Sequence, residues 1–153
     1  MKLIEFLIDP MPAPRQNRAD RWKVGDNARP IVKKYQAYRD KLLGQAIEQH
    51  FICPVYSFSI IFFIPFPKSY SKKKMEEMNE QYHTLKPDLD NLLKAFFDSI
   101  FRKNDKYFQG NYHWLKQRDK KLWDGFNRDD SVVCSYFVEK KWSYAGKIEV
   151  WDL

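Results

Sequence analysis

The stretch His83-Thr84-Leu85-Lys86-Pro87-Asp88-Leu89-Asp90-Asn91-Leu92-Leu93-Lys94 sets two carboxylates two residues apart behind a proline, with a lysine one helical turn further on. Pro87 disfavours the α region for Lys86, so the approach is extended. Alternate side chains of an extended segment share a face, which lets Asp88 and Asp90 converge. Asp90 then falls at or near the N-cap of an amphipathic helix expected over 91–100. Converging carboxylates repel unless protonated or bridged by a cation, and a helix N-terminus alone rarely offsets that. Hard oxygen ligands beside a lysine suit Mg²⁺ or Mn²⁺ and a phosphate substrate. A helix cap followed by a surface charge accounts for the same residues, so the segment alone leaves both readings open.

Working outward, the chain of 153 residues is 44% hydrophobic, enough for one domain with a sizeable core. Its 27 Lys and Arg against 20 Asp and Glu leave a net charge of +7, which favours a polyanionic partner. No apolar run approaches the ~20 residues that span a bilayer. Ile60-Ile61-Phe62-Phe63-Ile64 stops at Pro65. Residues 1–8 read as a strand too short for a signal peptide, so a cytoplasmic location is expected. Cys53 and Cys134 pair with none of His50, His83 and His113 at a zinc spacing, and both are expected to be buried free thiols.

After that first strand, the prolines of Asp9-Pro10-Met11-Pro12-Ala13-Pro14 predict an extended loop. Arg15, Arg18, Arg21, Lys23 and Arg29 follow without a hydrophobic period, as either a solvated loop or a phosphate-contacting arm. Val32, Tyr35, Tyr38, Leu42 and Ala46 recur at helical spacing and predict a helix over 31–49. Residues 55–64, β-branched and aromatic on both faces, predict a strand at the sheet centre. Residues 69–79 resemble a short helix with a basic start, Lys72-Lys73-Lys74, just upstream of the two carboxylates.

In the helix that follows, Leu92, Leu93, Phe96, Phe97 and Ile100 form the apolar face, and Asp90, Lys94 and Asp98 lie four apart on the other side. By default such a ladder makes modest exposed ion pairs. If Asp90 binds a metal, Lys94 is close enough to reach a phosphate oxygen or a leaving group.

Residues 101–128 show the least pattern. They hold eight basic and three acidic residues, five of the chain's seven excess positive charges. Lys116, Arg118, Lys120 and Lys121 are interleaved with aromatics, which suits either DNA contact or a lid packing its aromatics on the body. Asp129-Asp130 then precedes a strand expected over 131–140, and a turn leads to a last strand over 147–151. The Asp pair is either a turn cap or a second source of metal-binding carboxylates.

Several runs together resemble the RusA family of small Holliday junction resolvases, often carried by phages and prophages. They are Pro65-Phe66-Pro67-Lys68-Ser69-Tyr70-Ser71-Lys72-Lys73-Lys74, Lys86-Pro87-Asp88-Leu89-Asp90-Asn91-Leu92-Leu93-Lys94 with Asp98, and Asp129-Asp130-Ser131-Val132. The proline-rich loop and Gln36-Ala37-Tyr38-Arg39-Asp40 resemble its N-terminal half. The resemblance implies a single α/β (α+β) domain spanning 1–153, a mixed sheet flanked by helices, acting as a homodimer. It implies metal-binding carboxylates at Asp88, Asp90 and Asp130, with Asp129 the secondary candidate, and an essential lysine at Lys94. The chain departs from the family in 101–128, a basic and aromatic insertion about twenty residues longer than a short link.

The expected activity is Mg²⁺-dependent resolution of four-way DNA junctions by paired symmetric nicks. Arg15, Arg18, Lys72, Lys73, Lys74, Lys86, Lys116, Arg118, Lys120 and Lys121 are the expected DNA contacts. A rival enzyme pattern, PD-(D/E)xK, would use Pro87-Asp88 with Glu139-Lys140-Lys141, but it leaves Asp90, Lys94 and Asp130 without roles and needs a strand after Asp88. A non-catalytic basic DNA-binding protein explains the charge but not the placement of the three aspartates and the lysine.

Overall fold

The computed structural model describes residues 2–15, 17–23 and 25–153; Met1 of the expected first strand lies outside them. Four strands, β1 (Lys2–Phe6), β2 (Phe58–Pro65), β3 (Tyr136–Ser143) and β4 (Lys147–Asp152), form one mixed sheet in the order β1-β4-β2-β3. β4 runs antiparallel to both β1 and β2, whereas β2 and β3 are parallel. The helices are α1 (Pro30–Glu48), α2 (Lys72–Met78), α3 (Leu89–Ile100), α4 (Lys106–Asn111), α5 (Leu115–Arg118) and α6 (Lys120–Phe126). A parallel pair needs a crossover, and everything from α2 to α6 is spent making the one between β2 and β3.

β2 is an interior strand, as its composition predicts. Phe58, Ile60, Phe62 and Ile64 alternate into the core, and on the other face the Lys147 ammonium lies 4.8 Å from the Phe63 ring centroid. α1 begins with Pro30 in its first turn, where the missing N–H costs nothing, and buries Val32, Tyr35, Tyr38, Leu42, Leu43 and Ala46. It packs on α3, whose Leu92, Ala95, Phe96, Phe97 and Ile100 are buried. Phe96 is the hub, meeting Phe6, Phe62 and Phe51 edge-on at 5.8, 6.4 and 6.5 Å between ring centroids. Edge-to-face geometry sets the positive rim of one ring against the negative face of another. α3 is therefore anchored to the sheet along its apolar side, and its polar side is left for chemistry.

Three local expectations change. Asp129 accepts a hydrogen bond from the Ser131 N–H, and residues 130–132 close a 3-10 turn, so β3 starts at Tyr136 instead of near 131. A short side chain satisfying a nearby amide competes with strand formation. Residues 101–128 form α4, α5 and α6, two of them capped by Asp105 and Asp119, which accept from the amides of Phe108 and Leu122. Phe108, Leu115, Leu122, Trp123 and Phe126 join the main core, with Phe108 stacked on Trp123 at 4.4 Å. Helices of four to seven residues are too short to show a period, which is why the segment looks patternless. Of the two free cysteines, Cys53 is buried and Cys134 is exposed.

Candidate active site

The turn before α3 hangs from the outer edge of β3. Glu80 N–H donates to the Trp142 carbonyl, Trp142 N–H to Gln81 and His83 N–H to Lys140, at 2.9, 2.9 and 3.0 Å. A bridge between Tyr82 and Lys141 continues this edge pairing. Beyond His83 the main chain leaves the sheet. There the Lys140 side chain takes over, donating from Nζ to the Leu85 carbonyl and, at 2.6 Å, to the Pro87 carbonyl. The Lys86–Pro87 peptide between these carbonyls is cis.

Asp88 is the N-cap of α3, although its carboxylate makes no capping hydrogen bond. It receives the Lys86 ammonium instead, at 2.9 and 3.1 Å. The helix starts at Leu89, so Asp90 sits inside the first turn. The two carboxylates are therefore not related by strand alternation; helical rotation intervenes. Both are exposed. A carboxylate in the first turn is favoured by the unpaired N–H groups of the helix end. Asp90 Oδ1 accepts from the Asn91 N–H at 3.0 Å.

The proline-rich loop crosses α3 at its N-terminal half, where Ala13 N–H donates to the Asn91 carbonyl at 3.2 Å. Ala13, Pro14, Arg15, Asn91 and Lys94 line an open cleft of about 510 Å³. Lys94 thus faces Arg15 across this cleft and does not pair with its helix neighbours. Arg29 braces the loop from behind. It holds Asp20 with two hydrogen bonds, at 2.9 and 2.6 Å, and donates to the Arg15 carbonyl at 2.9 Å. The Arg29 hydrogen bond, helped by the Asn17 amide, pulls the Asp20 carboxyl down to about 2.

Two turns along α3 from Asp90, Asp98 Oδ2 accepts from the Tyr35 hydroxyl at 2.9 Å. Asp98, Asp129 and Asp130 line a second cleft of about 110 Å³ with Phe97, Phe101, Lys103 and Arg128. Burial first, and then the negative charges of Asp129 and Asp98, push the Asp130 carboxyl up from its ordinary value. Asp129 moves down, chiefly through the hydrogen bond from the Ser131 amide.

The structure thus brings Asp130 to Asp98, whereas Asp88 and Asp90 cluster at the start of the same helix. Eight residues of rise separate Asp90 from Asp98, roughly 12 Å along the axis. Among the described residues no group of three or more His, Cys, Asp or Glu side chains is gathered to hold a metal ion. The donor chemistry nevertheless fits a hard divalent cation. All the candidate ligands are carboxylates, and the repulsion that raises Asp130 is the kind a cation offsets.

The basic candidates divide by location. Lys72, Lys73 and Lys74 are exposed on α2, with the Lys74 ammonium 3.9 Å from the Tyr70 ring centroid. Arg18 is exposed in a 3-10 turn over 18–21. Lys116 and Arg118 are exposed on α5, and Lys120 and Lys121 on α6, with Lys120 paired to Asp124 at 2.8 Å. The rival PD-(D/E)xK geometry is absent, because Glu139 is engaged by the Tyr82 hydroxyl at 3.4 Å and Lys141 at 3.7 Å. On β3 it is Lys140, and not Glu139, that reaches the Asp88 turn, and a helix, not a strand, follows Asp88.

Sequence reasoning left Asp98 without a role beside Asp130, and placed Lys140 only within the rival motif. The aspartates at 98 and 130 are separated by the whole of α4 to α6, so no local signal links them.

No curated protein matches the chain. A family model described as Endodeoxyribonuclease RusA matches residues 8–110. That interval holds the proline-rich loop, α1, β2 and all of α3 with Asp88, Asp90, Lys94 and Asp98, and it ends within α4, ahead of Asp129 and Asp130. With about two-thirds of its length matched, including the whole of α3, the chain belongs to the RusA family of endodeoxyribonucleases.

Proposed function

We propose that the protein is a Mg²⁺-dependent endonuclease that resolves four-way DNA junctions by paired symmetric nicks. The observation that carries this reading is the start of α3, where Asp88, Asp90 and Lys94 lie within two turns, on the helix matched to the RusA family.

In this reading Asp88, Asp90 and Asp130 would hold one or two cations, Asp88 and Asp90 from the start of α3 and Asp130 from beside Asp98, with Asp129 as the secondary candidate and Mn²⁺ able to substitute. When bound, the cation supplies Lewis acidity that activates water and offsets charge on the scissile phosphate. Lys94 places its ammonium where negative charge develops on the phosphoryl or leaving oxygen. Asn91 and Arg15, on the walls of the same cleft, orient the phosphodiester for in-line attack, which leaves a 5′-phosphate and a 3′-hydroxyl. The fixed positions of these donors, held by the Ala13–Asn91 and Arg29–Arg15 hydrogen bonds, lower the reorganisation needed at the moment of reaction. A homodimer matches the two-fold symmetry of a four-way junction and sets one site on each of two strands. The protein acts on DNA in the cytoplasm.

A mobile four-way junction, incubated with the protein in Mg²⁺ or in EDTA and mapped on all four strands, tests the reading. Symmetric nicks on one opposed pair of strands, present in Mg²⁺ and absent in EDTA, are expected. Junction binding with every strand intact in both Mg²⁺ and Mn²⁺ would sink the enzyme reading and leave a basic DNA-binding protein.

A further inference from the structure

β3 is an edge strand, and its outer side is occupied by the chain leading to α3. Main-chain pairing accounts for Glu80 to His83. Past that point the backbone turns away from the sheet, and the Lys140 side chain reaches the Leu85 and Pro87 carbonyls. An ammonium carries three donors on a flexible stem, so one lysine can hold two carbonyls that diverge from the strand. The two carbonyls flank Lys86, whose own ammonium pairs with Asp88. They immediately precede the residue that caps α3.

We infer that Lys140 is a positioning residue for the nuclease site, gripping the Leu85 and Pro87 carbonyls so that Asp88 is presented in one direction at the start of α3. Charge-assisted hydrogen bonds are about twice as strong as neutral ones, which suits a clamp on a solvent-exposed turn. Lys140 is half-buried on β3, where desolvation lowers its pKa and Asp88 acts in the opposite sense. Lys86, exposed, is bonded directly to the Asp88 carboxylate, whereas Lys140 bonds the main chain at Leu85 and Pro87. The role rests on the proposed nuclease reading for its consequence, since Asp88 is there a metal ligand, but the clamp itself does not.

The test compares the unaltered protein with Lys140→Met and Lys140→Arg by amide hydrogen exchange at the first hydrogen-bonded amides of α3, residues 91–93, and by titration of Mn²⁺ alone into DNA-free protein. Lys140→Met keeps the aliphatic stem and removes the donors, so exchange at 91–93, whose Leu92 amide donates to the Asp88 carbonyl, is expected to accelerate about ten- to hundredfold while β2 and α1 are unchanged. The Mn²⁺ dissociation constant is expected to rise about tenfold or more, as when a group orienting a ligand is removed. Lys140→Arg, with two donors still available, is expected to restore most of both. Unaltered exchange in Lys140→Met overturns the clamp; fast exchange with unaltered Mn²⁺ affinity overturns the positioning role. If Lys140→Met does not fold, NMR of the lysine ammonium groups in the unaltered chain decides the clamp. A slowly exchanging Lys140 signal supports it, and averaging of that signal with free surface lysines overturns it. Should the unaltered protein neither bind Mn²⁺ nor cut a junction, the nuclease reading fails, and the exchange comparison still judges the clamp.

Discussion

Asp90 is the residue whose role separates a metal site from a helix cap. The Asn91 N–H satisfies its Oδ1, and it is exposed in the first turn of α3. An amide in its place keeps an acceptor for that N–H and removes the charge. Asp90→Asn is therefore expected to leave the fold and junction binding intact, or binding tighter, because a carboxylate no longer opposes a phosphate. Cleavage should fall by at least about a thousandfold, the scale of losing electrostatic stabilisation at a reacting phosphate. Single-turnover cleavage of a labelled junction checks this, and unchanged turnover would remove Asp90 from the site. Lys94 belongs to the same scale. It stands across a cleft from Arg15, not in a ladder with Asp90 and Asp98, because Asp98 is engaged by Tyr35 from α1.

At the scale of elements, the join between α3 and α4 is held by a buried guanidinium. The Arg102 side chain is 0% exposed; Nε donates to the Ser99 carbonyl at 2.8 Å, and its other nitrogens reach Asp105 at 3.1 Å and Asp40 at 3.3 Å. Arg39 of α1 donates to the Asp98 carbonyl at 2.8 Å and meets Asp105 at 3.2 Å. This network binds α1, the end of α3 and α4 into one unit, and so fixes where Asp98 faces the 129–130 turn. Arg102→Met fills the space but strands half-buried Asp40 and leaves Asp105 to Arg39 and the Phe108 amide. It is expected to cost about 3 kcal/mol, since breaking a buried pair is strongly destabilising. That is a fall of roughly 10 °C in Tm for a chain of this size, readable by calorimetry. A loss under a few degrees would show that water replaces the guanidinium. Such a polar unit was invisible in the order of residues, where Arg102 reads as one more basic residue of a charged segment. Its members come from residues 39, 40, 98, 102 and 105, joined only when α1 meets α3.

For the whole molecule, the net charge of +7 makes affinity for a polyanion depend on salt. Much of that excess lies on α5 and α6, where Leu115, Leu122, Trp123 and Phe126 are packed inward and the cations face solvent. Lys120 is committed to Asp124, so Lys116, Arg118 and Lys121 are the better candidates for phosphate contact. Replacing these three with Gln is expected to weaken junction binding and to lower the slope of log K against log salt by about two to three. Binding isotherms at several salt concentrations check it. A slope that does not move would place the DNA on another face.

Residue order alone determined what rests on interactions within a few positions. The amphipathic face of α3, the helix of α1, the interior character of β2 and the carboxylates behind Pro87 follow from periodicity and proline geometry, both local properties of the chain. The boundary of β3 and the helices α4 to α6 were less legible. There, single capping contacts by Asp105, Asp119 and Asp129 outweigh propensity over segments too short to show a period. Only the tertiary structure decided the rest of the site's surroundings. It set Arg15 opposite Lys94 and Asp130 beside Asp98, and turned Lys140 toward the turn before Asp88. Those neighbours lie between 32 and 79 positions apart in the chain. They are adjacent because β2 and β3 run parallel, which forces the intervening chain to cross over and return along the outer edge of the sheet, past the start of α3.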